Sequence, residues 1–94
     1  MAIETLQITH VRIASHYEAH RKIHSVGGVI DGVRWELTES EVIRRIESRK
    51  WSFFVRIGDL PIGVEIATHN DRQYIRTHMD GYAPSSLIRL AATH

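Results

Sequence analysis

The sequence contains no cysteine among its 94 residues. This absence excludes a disulfide framework, a thiolate zinc site and a cysteine nucleophile. Any metal site would therefore need histidine and carboxylate ligands. No apolar run approaches the roughly 20 residues that a membrane-spanning helix needs, and the N-terminal residues MAIETLQITH lack the basic segment and apolar run of a secretory signal. We therefore expect a soluble, cytoplasmic protein without membrane contact.

A dominant charge is also missing. Twelve Lys and Arg stand against eleven Asp and Glu, which leaves a formal net charge of +1 and no overall attraction to nucleic acid. There is no glycine-rich phosphate loop, no nucleophile elbow and no His-Glu-x-x-His pattern. A chain of this length with 43% hydrophobic residues forms one compact core. We therefore expect a single domain over residues 1–94, no cofactor and no recognisable enzyme class.

A helix is the clearest local prediction. Thr38 and Glu41 have the spacing of a capping box, in which hydroxyl and carboxylate each accept a hydrogen bond from a backbone N–H group at the helix start. Leu37 and Val42 have the spacing of a hydrophobic staple. Acidic residues near the start and basic residues near the end suit the helix dipole. These patterns predict a helix over residues 39–48.

The other segments are typical of strands. Adjacent Gly27 and Gly28 predict a two-residue hairpin turn with antiparallel strands on either side. From Trp51 onward apolar residues alternate with polar ones, and turn signals at residues 58–61 and 70–71 predict a three-stranded meander. In residues 5–13 the alternation slips by one residue, as at a bulge or in a strand covered on both faces.

These elements together predict the fold class. We expect an α+β fold in which a hairpin, a helix and the meander follow one another along the chain. The strands would form a small antiparallel sheet of about five strands, and the one main helix would pack on one face of it.

The densest group of polar residues lies within residues 73–90, at the end of the meander. On a strand, Tyr74, Arg76 and His78 share one face, opposite Ile75. If Ile75 points to the core, these polar side chains face solvent or a groove. Asp80 follows at a turn, where a carboxylate also commonly accepts backbone N–H groups in a structural role. We predict a binding surface formed by Tyr74, Arg76, His78, Asp80 and Tyr82.

Cations at the predicted helix end form a second candidate site. Four basic residues stand beside a tryptophan there, an arrangement that suits phosphate contacts. The alternative is a solvated face whose charges favour the helix terminus. We favour the solvated face, because neighbouring glutamates reduce the positive field, and keep nucleic-acid binding as an alternative. The residues concerned are Arg44, Arg45, Arg49, Lys50 and Trp51.

Three histidines recur every four residues, at His16, His20 and His24. On a helix they would form one stripe that could hold a metal, although a catalytic zinc usually takes ligands from more than one element. The plainer interpretation is a loop that leads into a strand near residue 21. A metal-dependent hydrolase that combines these histidines, or His78, with Asp80 is the weaker functional alternative.

Several of these segments resemble one family when they are taken together. They are ITHVRI, His20, a tryptophan before TESEVIRRIE, the hairpin after residue 51, YIRTHMD and SSLIRL. Their order and spacing resemble the bacterial family known only as domain of unknown function 3892. The family motif Tyr-Leu/Ile-x-Thr-x-x-Asp is matched by Tyr74, Thr77 and Asp80.

A second motif of that family, Asn-Leu-Leu-x-Leu-Pro-x-Cys, is matched only in its apolar frame, by Leu87, Ile88 and Leu90. Ser86 stands in place of the asparagine, Ala91 in place of the proline, and the cysteine is absent. The resemblance implies a fold and a motif, and it implies no particular activity.

The sequence as a whole favours a non-enzymatic interaction module whose partner is an unknown protein or small ligand. Thr77 and His78 point to opposite faces of a strand, which argues against their joint use as nucleophile and base. An exposed strand edge would also allow two copies to pair as a homodimer. Nucleic acid is an alternative partner that we do not favour.

Overall fold

The computed structural model of the protein describes residues 4–13, 23–69, 71–80, 86, 87 and 89. Within these residues the chain forms seven strands and a nine-residue helix, and residues 86, 87 and 89 are helical as well. In chain order they are β1 (Glu4–Gln7), β2 (His10–Ile13), β3 (Ile23–Ile30), β4 (Val33–Thr38), α1 (Glu39–Glu47), β5 (Trp51–Ile57), β6 (Leu60–His69) and β7 (Arg72–Thr77).

The combination of strands with a helix confirms the α+β class. The expectation of about five strands in one sheet is wrong, because seven strands form two sheets. The predicted meander β5-β6-β7 is present, and β1 adds to it in parallel beside β5, giving the order β1-β5-β6-β7. A separate antiparallel sheet has the order β2-β3-β4.

The slip of alternation in residues 5–13 marks the point where the chain passes from one sheet to the other. The Ile8 N–H group donates to the Phe54 carbonyl at 2.8 Å, in the first sheet. The next amide, that of Thr9, donates to the Gly27 carbonyl at 2.8 Å, in the second. The prediction of one strand over this segment is therefore wrong, because Ile8 and Thr9 belong to different sheets. An irregularity of the predicted kind is nevertheless present in β2, whose pairing with β3 shifts register between Arg12 and Ile13.

The predicted turn at Gly27 and Gly28 is also wrong. Both glycines lie inside β3, and the β3–β4 turn is formed by Asp31 and Gly32, whose φ angles of 50° and 80° suit a type I′ hairpin turn. A Cβ atom on Gly27 would overlap the His10 ring, and one on Gly28 would overlap the carbonyl of residue 7. The glycines serve close packing of neighbouring strands rather than a turn.

The helix prediction is confirmed, with an end one residue earlier than expected, at Glu47. The Thr38 hydroxyl accepts a hydrogen bond from the Glu41 N–H at 3.3 Å, and the Glu41 carboxylate accepts one from the Thr38 N–H at 2.9 Å. Just beyond the helix Arg49 has φ 63°, the left-handed conformation that commonly ends a helix.

The helix covers the core by contacting strands of both sheets. It contributes Val42, which is fully buried, and it faces Ile75, which is also fully buried, among apolar side chains of the strands. No helix in the described residues is long and apolar enough to cross a membrane. The buried apolar set is Leu6, Ile8, Val11, Ile23, Val26, Val42, Ile43, Phe53, Val55, Ile62, Val64, Ile75 and Leu87.

Candidate functional site

The polar strip predicted on β7 is partly buried. Tyr74 is only 2% exposed, so the expectation that it faces solvent or a groove is wrong. Ile75 and Thr77, on the opposite side of the strand, are fully buried as well. Thus β7 is covered on both faces at residues 74 and 75. Tyr82, the fifth member of the predicted surface, lies outside the described residues.

Glu65 of β6 contacts two members of this strip, Arg76 and His78. It lies directly opposite Arg76 in the β6–β7 register. Its carboxylate accepts a hydrogen bond from Arg76 Nε at 2.8 Å, and its other oxygen lies 2.7 Å from His78 Nδ1. The Glu65 hydrogen bond is the main cause of a raised Arg76 pKa. The sequence analysis did not identify Glu65 as a member of the site. The predicted turn at residues 70–71 was the available signal, because a two-residue turn there places Glu65 opposite Arg76.

Asp80 closes a hydrogen-bonded corner at the end of β7. One carboxylate oxygen accepts from the Thr77 N–H at 3.0 Å, and the other accepts from the Ser86 N–H at 3.0 Å and the Ser86 hydroxyl at 2.9 Å. The Thr77 hydroxyl in turn accepts from the Met79 N–H at 3.3 Å. These contacts give Asp80 and Thr77 the structural role that the sequence left open. A binding role for the surface around them stays a prediction.

The basic set is divided between different surfaces. The Arg45 guanidinium lies over the Trp51 ring, 4.7 Å from its centroid. Arg44 instead lines a polar groove between α1 and β7, together with Glu39 and Arg72. Arg49 and Lys50 are exposed in the turn that follows α1. Arg44 and Arg45 also line a groove together with Glu41 and Ser48. Arg45 alone of these two lines the cleft that contains Trp51.

An apolar cleft of about 460 Å³ contains both Arg45 and Trp51. It also contains Trp35, so both tryptophans of the protein line the same cleft. Both indoles are half-buried. The Trp35 Nε1 atom is buried and has no hydrogen-bond partner in the described part of the chain. The remaining lining residues are Leu6, Ile30, Asp31, Val33 and Leu37.

The polar groove between α1 and β7, about 280 Å³ in volume, holds a buried carboxylate. Glu39 is 6% exposed and accepts a hydrogen bond from the Ile75 N–H at 3.2 Å. Burial raises the Glu39 pKa to about 7, while the Ile75 hydrogen bond and Arg72, 3.9 Å away, act in the opposite direction. From the sequence, Glu39 was recognisable only as an acidic residue in the first helical turn.

Of the three histidines in the predicted stripe, His24 belongs to the described residues. His16 and His20 fall outside the described residues, whereas His24 is exposed on β3. Among the residues that the structure describes, no group of three or more His, Cys, Asp or Glu side chains is placed to hold a metal.

The family described as Protein of unknown function (DUF3892) matches residues 7–91 of the chain. The chain belongs to this family. Comparison with curated proteins gives no match, and comparison with solved structures gives none. In this DUF3892 chain the motif residues Tyr74 and Thr77 are buried. The third motif residue, Asp80, accepts a hydrogen bond from the Thr77 N–H at the end of β7. None of these three residues lines the cleft that contains the two tryptophans.

Proposed function

We propose that this chain is a small non-enzymatic binding module, and that the cleft lined by Trp35 and Trp51 is its ligand site. The ligand class that fits is a flat, largely apolar molecule with one acidic group. The observation that carries the proposal is the meeting of both tryptophans, half-buried, in one apolar cleft.

The size and lining of the cleft support a small ligand. Its volume of about 460 Å³ lies within the range of roughly 300 to 1,000 Å³ that is typical of small-molecule sites. Such sites are mostly apolar with few polar groups, and here Arg45 and Asp31 are the charged lining residues. Indole rings favour flat aromatic ligands, because offset stacking adds to the gain from burial.

Arg45 supports the acidic group on the ligand. Its guanidinium rests on the Trp51 ring and makes no side-chain hydrogen bond or salt bridge to another described residue. A guanidinium has five N–H donors in a planar fork that matches a carboxylate, sulfonate or phosphate. Asp31 would accept a hydrogen bond from a donor group on the same ligand.

The contacts of the polar residues favour binding over catalysis. The Thr77 hydroxyl is buried and accepts from a backbone N–H, and both Asp80 oxygens accept hydrogen bonds at the β7 corner. Neither is aligned with His78, whose described partner is Glu65. A nucleophile needs an adjacent base in hydrogen-bond reach.

Titration with anilinonaphthalene sulfonate, a flat aromatic molecule with one sulfonate, tests the proposal. We expect saturable binding at one site, with energy transfer from the two tryptophans, and roughly fivefold weaker binding for Arg45→Gln because a charge-assisted hydrogen bond is lost. Arg44→Gln makes the same charge change outside the cleft and should bind like the parent protein. Equal effects of the two substitutions, or no saturable binding, would overturn the assignment of the site.

Binding of a labelled oligonucleotide to the same variants tests the nucleic-acid alternative. That alternative requires affinity that falls steeply with salt and that weakens in Arg44→Gln and Arg45→Gln alike. We expect no binding that depends on both residues, because the groove that Arg44 and Arg45 share also contains Glu41, whose charge reduces the positive field.

A further inference from the structure

β4 and β7 are edge strands of the two sheets, and they differ in whether their outward backbone N–H groups have hydrogen-bond partners. On β7 the outward amides of Ile75 and Thr77 donate to the carboxylates of Glu39 and Asp80. This edge is therefore closed by side chains. β4 is the last strand of the order β2-β3-β4, and within the described residues no further strand pairs with it.

The register of the β3–β4 hairpin determines which β4 amides point outward. In an antiparallel pair, successive residues alternate between pointing to the partner strand and pointing away. The two-residue turn directs Val33, Trp35 and Leu37 towards β3. The residues between them point away, and the Thr38 amide confirms this direction because it donates to Glu41 instead of β3. Arg34 and Glu36 therefore present their backbone N–H and C=O groups at the open edge.

We propose that β4 pairs antiparallel with β4 of a second copy of this chain, with Trp35 on the two-fold axis. Arg34 of each copy then lies directly opposite Glu36 of the other. The two opposed pairs exchange four backbone hydrogen bonds and bring together opposite charges. The two three-stranded sheets become one continuous six-stranded sheet.

The charges of β4 select this register over its neighbours. A shift of two residues in one direction places Arg34 opposite Arg34, and a shift in the other direction places Glu36 opposite Glu36. Directly opposed like charges destabilise a strand pair. A shift of one residue places outward groups opposite inward ones, so the hydrogen bonds cannot form. The sequence Val-Arg-Trp-Glu-Leu is thus complementary to itself in one antiparallel alignment.

The apolar residues of β4 agree with the same alignment. Val33 is 66% exposed in the single chain, and the pairing places it opposite Leu37 of the second copy. Trp35 meets Trp35 of the second copy on the face that lines the cleft. The second copy would therefore extend the wall of that cleft. The Arg34 side chain makes no hydrogen bond or salt bridge to another described residue. Glu36 already accepts a hydrogen bond from the Ser25 hydroxyl at 2.9 Å and lies 3.3 Å from Arg12.

Charge reversal tests the pairing, and its outcome is independent of ligand binding in the cleft. Sedimentation velocity of the full chain over a wide concentration range should show a monomer–dimer equilibrium. Arg34→Glu places like charges opposite each other twice in every dimer, so we expect dimerisation to weaken about tenfold. Arg44→Glu, which makes the same charge change on α1, should leave the dimer unchanged.

The complementary variant removes the ambiguity of a single substitution. Glu36→Arg alone should also weaken self-association, but a mixture of the Arg34→Glu and Glu36→Arg proteins should form a one-to-one heterodimer. In that heterodimer every opposed pair again has opposite charges. A protein that stays monomeric, a dimer equally sensitive to Arg34→Glu and Arg44→Glu, or variants that fail to associate when mixed would each overturn the proposal.

Discussion

The buried Glu39 carboxylate at the start of α1 accepts a hydrogen bond from the backbone N–H of Ile75 on β7, at 3.2 Å. This contact satisfies an outward amide of β7 and joins the helix to the sheet that it covers. It also places an acidic group where burial raises its pKa to about 7. The stability of the fold should therefore depend on the protonation of this one residue.

Glu39→Gln should stabilise the protein above neutral pH. The Glu39 pKa is about 7 in the folded protein against 4.5 for the ordinary group. The protonated form thus contributes stability that is fully present below pH 4.5 and is lost as the pH rises through 7. The neutral amide keeps an acceptor for Ile75 and avoids that loss, so we expect a gain of about 1 to 3 kcal/mol at pH 8.

Urea unfolding at pH 4 and pH 8 measures this difference. Glu41→Gln is the matched control, because it removes the same charge from an exposed residue in the same helical turn. We expect no gain from Glu41→Gln at pH 8. An equal response of Glu39→Gln at both pH values would contradict the raised pKa.

Asp80→Ala should destabilise the protein by about 2 to 3 kcal/mol, because it removes the acceptor of three hydrogen bonds and leaves the Thr77 amide unsatisfied. Asp80→Asn keeps one acceptor oxygen and should lose less. Asp59→Ala, in the exposed β5–β6 turn, should change the free energy of unfolding by less than about 0.5 kcal/mol. Thermal or urea unfolding of the three variants checks the order. Equal losses for Asp80→Ala and Asp59→Ala would contradict the stabilising role of the Asp80 hydrogen bonds.

Arg49→Gly should stabilise the protein by about 0.5 to 1 kcal/mol. Arg49 adopts φ 63° directly after the helix, a conformation that favours glycine over residues with a side chain. The gain would appear as a higher melting temperature. Arg44→Gly, inside α1, should lower stability by about 1 kcal/mol instead. A loss from Arg49→Gly would show that its side chain contributes more than the backbone conformation costs.

Gly28→Ala should cost about 2 kcal/mol or more, because the added methyl group would overlap the Gln7 carbonyl and crowd the Trp35 ring. Gly58 provides the comparison, since it has φ 63° and open space where a Cβ atom would lie. Asparagine tolerates that conformation, so Gly58→Asn should cost about 1 kcal/mol or less. Circular dichroism melting curves give both values, and a harmless Gly28→Ala would refute the close packing of β3.

Local signals explain which parts of the fold were predictable. The helix start follows from Thr38 and Glu41, three positions apart, and the meander follows from alternation and turns. The glycine pair was misleading, because a glycine required for close packing looks the same in sequence as one required for a turn. The change of sheet after Ile8 was also hidden, since it produces the same phase slip as a bulge.

The candidate cleft was less predictable than the fold. Trp51 and Arg45 were recognised as neighbours at the helix end, but Trp35 joins them only through the packing of β4 beside α1. The polar strip on β7 attracted attention because its residues are close in sequence. Arg76 and His78 contact Glu65, and Asp80 accepts hydrogen bonds from Thr77 and Ser86. These contacts depend on strand register and on a residue from the following segment.

The indole N–H signals of Trp35 and Trp51 in a two-dimensional NMR spectrum test the central claim most directly. Because the protein has two tryptophans and both line the cleft, every indole signal reports on the site. We predict that naphthalene sulfonate shifts both signals along one saturable curve, and that methanesulfonate, which has the anion without the ring, shifts neither at the same concentration. Unmoved indole signals, or shifts that never saturate, would contradict a ligand site in this cleft.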